Sequence, residues 1–181
     1  MKVNGKHFRT LWLSSAQKTV QVIDQTQLPH KFVIVNLETV NDVINAINSM
    51  KVRGAPLIGV SAAYGVALAM QQDSSDRNLF NALQGICDTR PTAINLGWAL
   101  NKMKAALMGE KPERRESIAY QLAGELCDED IKICSAIGDN GVTIIEKIWR
   151  AKESGDKLNI LTHCNAGWLA TVDWGTALSP I

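Results

Sequence analysis

The residues best suited to chemistry form the run 162–167, Thr-His-Cys-Asn-Ala-Gly, close to the end of the sequence. Residues 157–164 predict a buried parallel strand that ends in this run, and ligands of α/β sheets bind beyond the carboxyl ends of such strands. Cys164 therefore stands where a thiol near arginines and helix N-termini can serve in acid–base or nucleophilic chemistry. We favour this role over a structural one because the neighbours of Cys164 are polar or small. The role of His163 stays open, since its ring can equally well satisfy a backbone group.

A first arginine turn, Arg53-Gly54-Ala55-Pro56, precedes a long apolar run. Pro56 suits the first turn of a helix, and a helix N-terminus offers free N–H groups and the positive end of its dipole to an anion. Gly54 permits the close approach of a ligand, and the guanidinium of Arg53 can bind a phosphate through two nitrogens. Taken alone, these four residues fit an ordinary helix–turn–helix with a surface arginine better than a binding site.

A second arginine turn, Arg90-Pro91-Thr92, repeats the arrangement, with Asn95 one turn into the following helix. Here too the pattern predicts an arginine before a proline-started helix. The alternative is an Arg90 that pairs with a carboxylate, and the signal is weak by itself. Together, the two turns predict two basic corners, each at a helix N-terminus, in one domain.

Composition excludes several functional classes. A formal net charge of +1 gives no reason to expect a nucleic acid or an anionic membrane as partner. No apolar run reaches the roughly 20 residues that span a bilayer, and the N-terminus does not lead into a signal-peptide core, so we expect a cytoplasmic protein. Four cysteines without a CxxC pair and three histidines predict neither a zinc site nor a disulfide framework. Cys127 and Cys134, on one face of a helical stretch, are expected to be plain core residues.

The predicted elements give a mixed α/β fold class. Runs 8–13, 19–24 and 32–36 predict a small antiparallel β-meander. Helices are expected over 40–50, 57–70, 77–87, 94–108 and 116–151, the last as one helix or as two, with a possible bend near Gly138 and Gly141. We therefore predict a meander and helical N-terminal domain over residues 1–152, followed over 153–181 by the first strand and loop of a truncated α/β domain. Because a lone parallel strand leaves two edges without partners, we expect the chain to act as a fragment, a split partner or a degenerate relative of something longer.

Several motifs together resemble the methylthioribose-1-phosphate isomerase family. They are the runs 50–59, 90–96, 162–167 and 175–181, supported by Asp24-Gln25, by Leu28-Pro29 and by the stretch 128–141. Their order and spacing match along the whole chain, which corresponds to roughly the N-terminal half of such an enzyme. The resemblance implies an aldose–ketose isomerase of methionine salvage that converts 5-methylthioribose 1-phosphate, a phosphorylated sugar, into 5-methylthioribulose 1-phosphate. It also implies a homodimer with a Rossmann-like C-terminal domain and with no metal or other cofactor.

Carried over by position, the resemblance makes Arg53, Gly54, Ala55 and Arg90 binders of the substrate or its phosphate, and it makes Cys164 one of two catalytic residues. The other, an aspartate of the C-terminal half, has no counterpart in this chain, so we expect no independent activity unless a separate C-terminal half completes the site. The alternative is a non-catalytic regulatory or interaction module, like the related regulatory subunits of the translation-initiation exchange factor. The retained arginines and thiol argue against that alternative.

Two departures from the family pattern lie beside the Cys164 loop. Trp168 stands where the family usually has a small residue, and Val172-Asp173 replaces a small pair. A tryptophan there could crowd the phosphate site. An inward-facing Asp173 would repel a phosphate dianion.

Overall fold

The computed structural model describes residues 1–14, 19–153 and 155–181. The N-terminal part of the chain forms two small antiparallel sheets. The first pairs β1 (Lys2–Val3) with β2 (Lys6–His7), and the second places β3 (Leu11–Leu13), β4 (Val20–Ile23) and β5 (Ile34–Leu37) side by side in that order. The predicted meander is confirmed, with strands shorter than the runs that predicted them. Residues 15–18, between the first two predicted runs, lie outside the described residues.

Five helices follow within the described part of the chain, and local sequence signals explain where two of them begin. Thr39 caps α1 through a capping box with Asp42, and the side chain of Ser75 accepts a hydrogen bond from the N–H of Asn78 at the start of α3. The mixed α/β fold class is thereby confirmed. The helices are α1 (Val40–Asn48), α2 (Ala55–Gln72), α3 (Asp76–Cys87), α4 (Ile94–Leu107) and α5 (Pro112–Arg150).

Helix α2 is the centre of the fold and packs against each of the other four helices. Every residue from 57 to 70 is buried, as the almost continuous apolar run predicts. Small residues let the neighbours approach closely: a Cβ at Gly65 would lie 3.0 Å from a methyl of Val43, and one at Gly59 would lie 3.0 Å from the carbonyl oxygen of Asn95. This packing holds the N-terminus of α2, at Ala55, in a fixed position beside α4.

Helix α5 is a single helix over its 39 residues, so the open question between one helix and two is settled in favour of one. The bend near Gly138 and Gly141 stays a prediction, and the structure shows what these two glycines contact. A Cβ at Gly138 would lie 2.7 Å from the hydroxyl of Ser179, and one at Gly141 would overlap the ring of Pro180. The two glycines therefore make room for the end of the chain against α5, where the Ser179 hydroxyl donates a hydrogen bond to the carbonyl oxygen of Cys134 at 2.6 Å.

The buried strand expected over residues 157–164 is not present. No strand is assigned there, and all of these residues except the half-buried Leu158 are exposed. The physical reason is that a β-strand is stabilised by hydrogen bonds to a neighbouring strand, and no described strand lies beside this run.

Residues 166–181 return to the N-terminal body and pack into it. Thr171 and Val172 are fully buried. The N–H of Thr10 donates to the carbonyl oxygen of Val172 at 2.8 Å, and the N–H of Val172 donates to the carboxylate of Asp130 at 2.7 Å. The domain boundary between residues 152 and 153 stays a prediction. Among the described residues, none of the helices is both long and apolar enough to cross a membrane.

Candidate functional site

The residues singled out from the sequence line one open groove of ≈ 740 Å³. We call it the central groove. It lies where the N-terminus of α2, the turn before α4, the Cys164 loop and the returning segment 166–177 meet. All five predicted site residues border it: Arg53, Gly54, Ala55, Arg90 and Cys164. Their placement together is a finding, whereas their roles in binding and catalysis stay predictions.

The first corner of the groove is the N-terminus of α2. Gly54 is its N-cap, with φ at 105°, and no side chain caps the N–H groups of the first turn. Exposed Ala55 is the first helical residue and Pro56 the second. Uncapped N–H groups and the positive end of the helix dipole thus face the groove, which favours an anion there.

Two residues that the site prediction omits hold this corner in place. The side-chain N–H of buried Gln25 donates to the carbonyl oxygen of Leu169 at 2.7 Å, and its side-chain oxygen accepts a long hydrogen bond of 3.4 Å from Nε of Arg53. Ala170 lies so close to Gly54 that any Cβ on Gly54 would overlap its backbone. The only sequence signal for Gln25 was its place in the family motif, and nothing in the sequence pointed to Ala170.

The second corner is the turn that holds Arg90. Helix α4 begins at Ile94 rather than at Pro91, because residues 90–93 form a turn in which the N–H of Ala93 donates to the carbonyl oxygen of Arg90 at 3.0 Å. The start of the helix predicted over 94–108 is confirmed, whereas the expectation that Pro91 begins it is wrong. No side chain caps α4, so a second open helix N-terminus borders the groove. Half-buried Arg90 has no carboxylate partner among the residues that the structure describes, so the alternative of an ion pair finds no support.

The third corner is the Cys164 loop. Cys164 has φ at 72°, and of the four cysteines, all of which are described, it is the one that is exposed. Cys127 and Cys134 are core residues as predicted. Burial, the largest effect in each case, raises the pKa of the Cys127 thiol to about 12 and that of the Cys134 thiol to about 11. These two thiols stay protonated and unreactive at neutral pH, whereas the thiol of Cys164 is open to the groove.

The charge in the groove is positive. Arg53 and Arg90 contribute two permanent charges, and His163 can add a third when it is protonated. None of the described residues along the groove carries a carboxylate. Among the described residues, no group of three or more His, Cys, Asp and Glu side chains is arranged to hold a metal ion. The groove therefore suits an anion more than a cation.

We expected Trp168 to crowd the phosphate site and Asp173 to repel a phosphate, and both expectations are wrong. Neither Trp168 nor Asp173 borders the groove. The carboxylate of Asp173 faces the opposite way, where it accepts hydrogen bonds from the N-terminal amine of Met1 at 2.8 Å and is 2.6 Å from Nε2 of His7. Burial disfavours the charge on Asp173, but hydrogen bonds from the amine, from a backbone N–H and from His7 outweigh burial and hold its pKa below the ordinary value. Asp173 therefore anchors the returning segment and does not repel a phosphate.

Several known proteins resemble this chain in sequence. The sequence profile of the initiation factor 2 subunit family matches residues 51–178. The methylthioribose-1-phosphate isomerases of Sinorhizobium medicae and Paramagnetospirillum magneticum are 52% and 54% identical over all 181 residues, which are 50% and 49% of those relatives. The chain thus spans about half the length of the curated relatives that it matches.

Two solved structures have the same fold over most of this chain. The 5-methylthioribose 1-phosphate isomerase of Pyrococcus horikoshii aligns with a TM-score of 0.81 at 34% identity, over 96% of this chain and 48% of that one. The translation initiation factor eIF-2B subunit delta of A. fulgidus aligns with a TM-score of 0.76 at 35% identity, over 96% of this chain and 50% of that one. The resemblance found from the motifs is confirmed.

Proposed function

The chain belongs to the initiation factor 2 subunit family, and from that premise we propose that it is the phosphate-binding and thiol-bearing part of a methylthioribose-1-phosphate isomerase. The reaction converts 5-methylthioribose 1-phosphate into 5-methylthioribulose 1-phosphate in methionine salvage. The observation that supports it most is the convergence of Arg53, Arg90 and Cys164 on one groove. We place this enzyme in the cytoplasm as a homodimer.

The phosphate of the sugar binds between the two arginine corners. A phosphate monoester carries close to two negative charges at neutral pH, and an arginine can bind it through two parallel hydrogen bonds. The open N-termini of α2 and α4 add backbone N–H donors to the same groove. Gly54 and Ala55 have too little side chain to shield these donors. The absence of carboxylates along the described wall of the groove removes the main source of repulsion.

Cys164 takes part in the proton transfers of the reaction. A phosphate on the anomeric carbon prevents simple opening of the sugar ring, so an acid must assist at the ring oxygen before hydrogen moves between the first two carbons. The exposed thiol of Cys164 borders the groove that would hold the sugar. The resemblance implies a second catalytic group, an aspartate that is not among these 181 residues. We therefore propose that the 181-residue chain alone binds the substrate and does not turn it over.

Calorimetric titration with methylthioribose 1-phosphate tests this proposal. We expect binding by the chain, and a loss of affinity of about tenfold or more when Arg53→Ala or Arg90→Ala removes a charge-assisted contact. Arg77→Ala is the matched control, because Arg77 is exposed on α3 and lies away from the groove. Absence of binding, or equal affinities for the groove variants and the control, would refute the phosphate site. Ketose formation by the chain alone would refute the need for a second group.

A non-catalytic regulatory module is the second candidate, favoured by the likeness to the A. fulgidus initiation-factor subunit. Such a module has no use for a thiol in a sugar-phosphate groove. Binding of methylthioribose 1-phosphate that depends on both Arg53 and Arg90 would favour the isomerase. A groove that is indifferent to the sugar phosphate would favour the module.

A further inference from the structure

A cavity of ≈ 380 Å³ opens at the three-stranded sheet and shares no residue with the central groove. We call it the aromatic pocket. Its volume lies near the lower end of the roughly 300–1,000 Å³ that is typical of small-molecule sites. Cationic and aromatic side chains make up most of its lining: Lys6, His7, Phe8, Arg9 and Trp12.

Trp12 lies on the face of the sheet that points away from the core. It is paired with Gln21 across β3 and β4, whereas the neighbouring pair, Leu11 and Val22, is fully buried, because successive side chains of a strand point to opposite faces. The indole N–H of Trp12 donates to the side-chain oxygen of Gln21 at 2.7 Å, and the side-chain N–H of Gln21 donates to that of Asn36 at 2.9 Å between nitrogen and oxygen. The polar groups beside Trp12 thus engage one another, and the sheet offers a ligand mainly aromatic surface.

Three aromatic rings meet at this pocket. The ring centroid of Phe8 lies 6.0 Å from that of Trp12 and 5.0 Å from that of Phe32, both at tilted angles. Phe32 is 37% exposed, and Ile34 at the wall of the pocket is 39% exposed. Exposed aromatic rings are able to stack on a nucleobase, and such stacking tolerates any base because every base has a π-face.

Cationic side chains surround these rings. Lys6 has no carboxylate partner among the residues that the structure describes. Arg9 pairs with the exposed carboxylate of Asp128 across 3.3 Å, which leaves N–H groups of its guanidinium for another anion. His7 is already engaged by Asp173. Since none of the described residues that line the pocket carries a carboxylate, its free charge matches a single phosphate group.

We propose that the aromatic pocket binds a purine nucleoside 5′-monophosphate, with its base against Trp12 and its phosphate between Lys6 and Arg9. The ring of Phe8 lies between the two parts of the site, because its centroid is 6.0 Å from that of Trp12 and 5.2 Å from Nζ of Lys6. A ribose can bridge this separation. The site is separate from the central groove, so the inference goes beyond the proposed function and does not depend on it.

Charge favours a mononucleotide over a nucleic acid strand as the occupant. A protein that binds a strand presents a stripe of cations along the phosphate backbone. Here two cations flank the rings, and the whole chain has a formal net charge of only +1.

Calorimetric titration of the 181-residue chain carrying Arg53→Ala tests the inference with phosphate binding in the central groove weakened. Adenosine and guanosine 5′-monophosphates should bind with similar affinity, and adenosine or ribose 5-phosphate at least tenfold more weakly, because each lacks one half of the ligand. Adding Trp12→Leu or Lys6→Ala should lower the nucleotide affinity about tenfold. The matched controls, Trp98→Leu and Lys2→Ala, should leave it unchanged, because both residues are exposed and lie outside the pocket.

The indole N–H signal of Trp12 in the nuclear magnetic resonance spectrum gives a second readout, in the chain without substitutions. It is assigned by its disappearance in Trp12→Phe, and it should shift with adenosine 5′-monophosphate and not with inorganic phosphate. An unmoved signal, or nucleotide binding that Arg53→Ala abolishes, would overturn the inference by locating the nucleotide elsewhere. Tighter binding of a single-stranded oligonucleotide than of the mononucleotide would overturn it in favour of a nucleic acid. None of these outcomes bears on the binding of methylthioribose 1-phosphate, so the proposed function is tested independently.

Discussion

Gly54→Ala is a substitution for which the structure predicts a large local effect. Gly54 has φ at 105° and ψ at 134°, a conformation that residues with a Cβ rarely adopt. An alanine Cβ would also overlap the backbone and side chain of Ala170. The neighbouring backbone cannot yield easily, because Gln25 holds the carbonyl oxygen of Leu169 at 2.7 Å. Either the returning segment or the N-terminus of α2 must move.

The expected cost can be estimated from these two effects. Backbone strain at such a conformation is of order 1–3 kcal/mol, and the steric overlap adds to it, so we expect a loss of about 3 kcal/mol of unfolding free energy. For a chain of this size that corresponds to a melting temperature lower by about 6–12 °C. Because Gly54 borders the groove directly after Arg53, the affinity for a phosphorylated sugar should fall as well.

Gly97→Ala is the matched control, since it makes the same chemical change within α4, where a Cβ would meet no atom within 4 Å. A helix interior favours alanine over glycine by roughly 0.5–1 kcal/mol, so this variant should be slightly more stable than the parent. Thermal unfolding followed by circular dichroism, together with calorimetric titration, measures both variants. A Gly54→Ala protein that melts with the parent and binds equally well would refute the reasoning about the contact with Ala170.

Two further predictions concern the other ionisable groups of the site region. Asp173→Asn should destabilise the chain at pH 7, and the difference in unfolding free energy between variant and parent should shrink as the pH falls below about 4. The reason is that a carboxylate with a lowered pKa stabilises the folded state above its unfolded pKa and loses that contribution on protonation. Urea unfolding at several pH values measures this, and a pH-independent difference would contradict it. Under native conditions iodoacetamide should alkylate Cys164 first and leave the buried Cys127 unmodified, as peptide mass spectrometry can follow. Equal modification of the two thiols would contradict the burial that separates them.

Most of the helical framework could be predicted from the sequence because its signals are local. Ser75 caps α3 through its own side chain, and the apolar run after Pro56 becomes the buried centre of the fold. The prediction for residues 157–164 failed because a strand depends on a partner that periodicity does not reveal. The contacts of Gly138 and Gly141 could not be predicted for a related reason, since what they accommodate, Ser179 and Pro180, is distant in sequence.

The candidate site also could be predicted where its signals are local and could not where it depends on residues distant in sequence. The two arginine turns could be recognised because a helix N-terminus beside an arginine is a local pattern, although the turn of residues 90–93 that separates Pro91 from α4 could not. The orientation of Asp173 could not be predicted, since it is decided by His7 and the N-terminal amine at the other end of the chain. The same holds for Gln25, whose single side chain joins Arg53 to the returning segment. The groove exists because that segment returns to the N-terminal body, so a variant that releases the segment should lose the phosphate site even with both arginines intact.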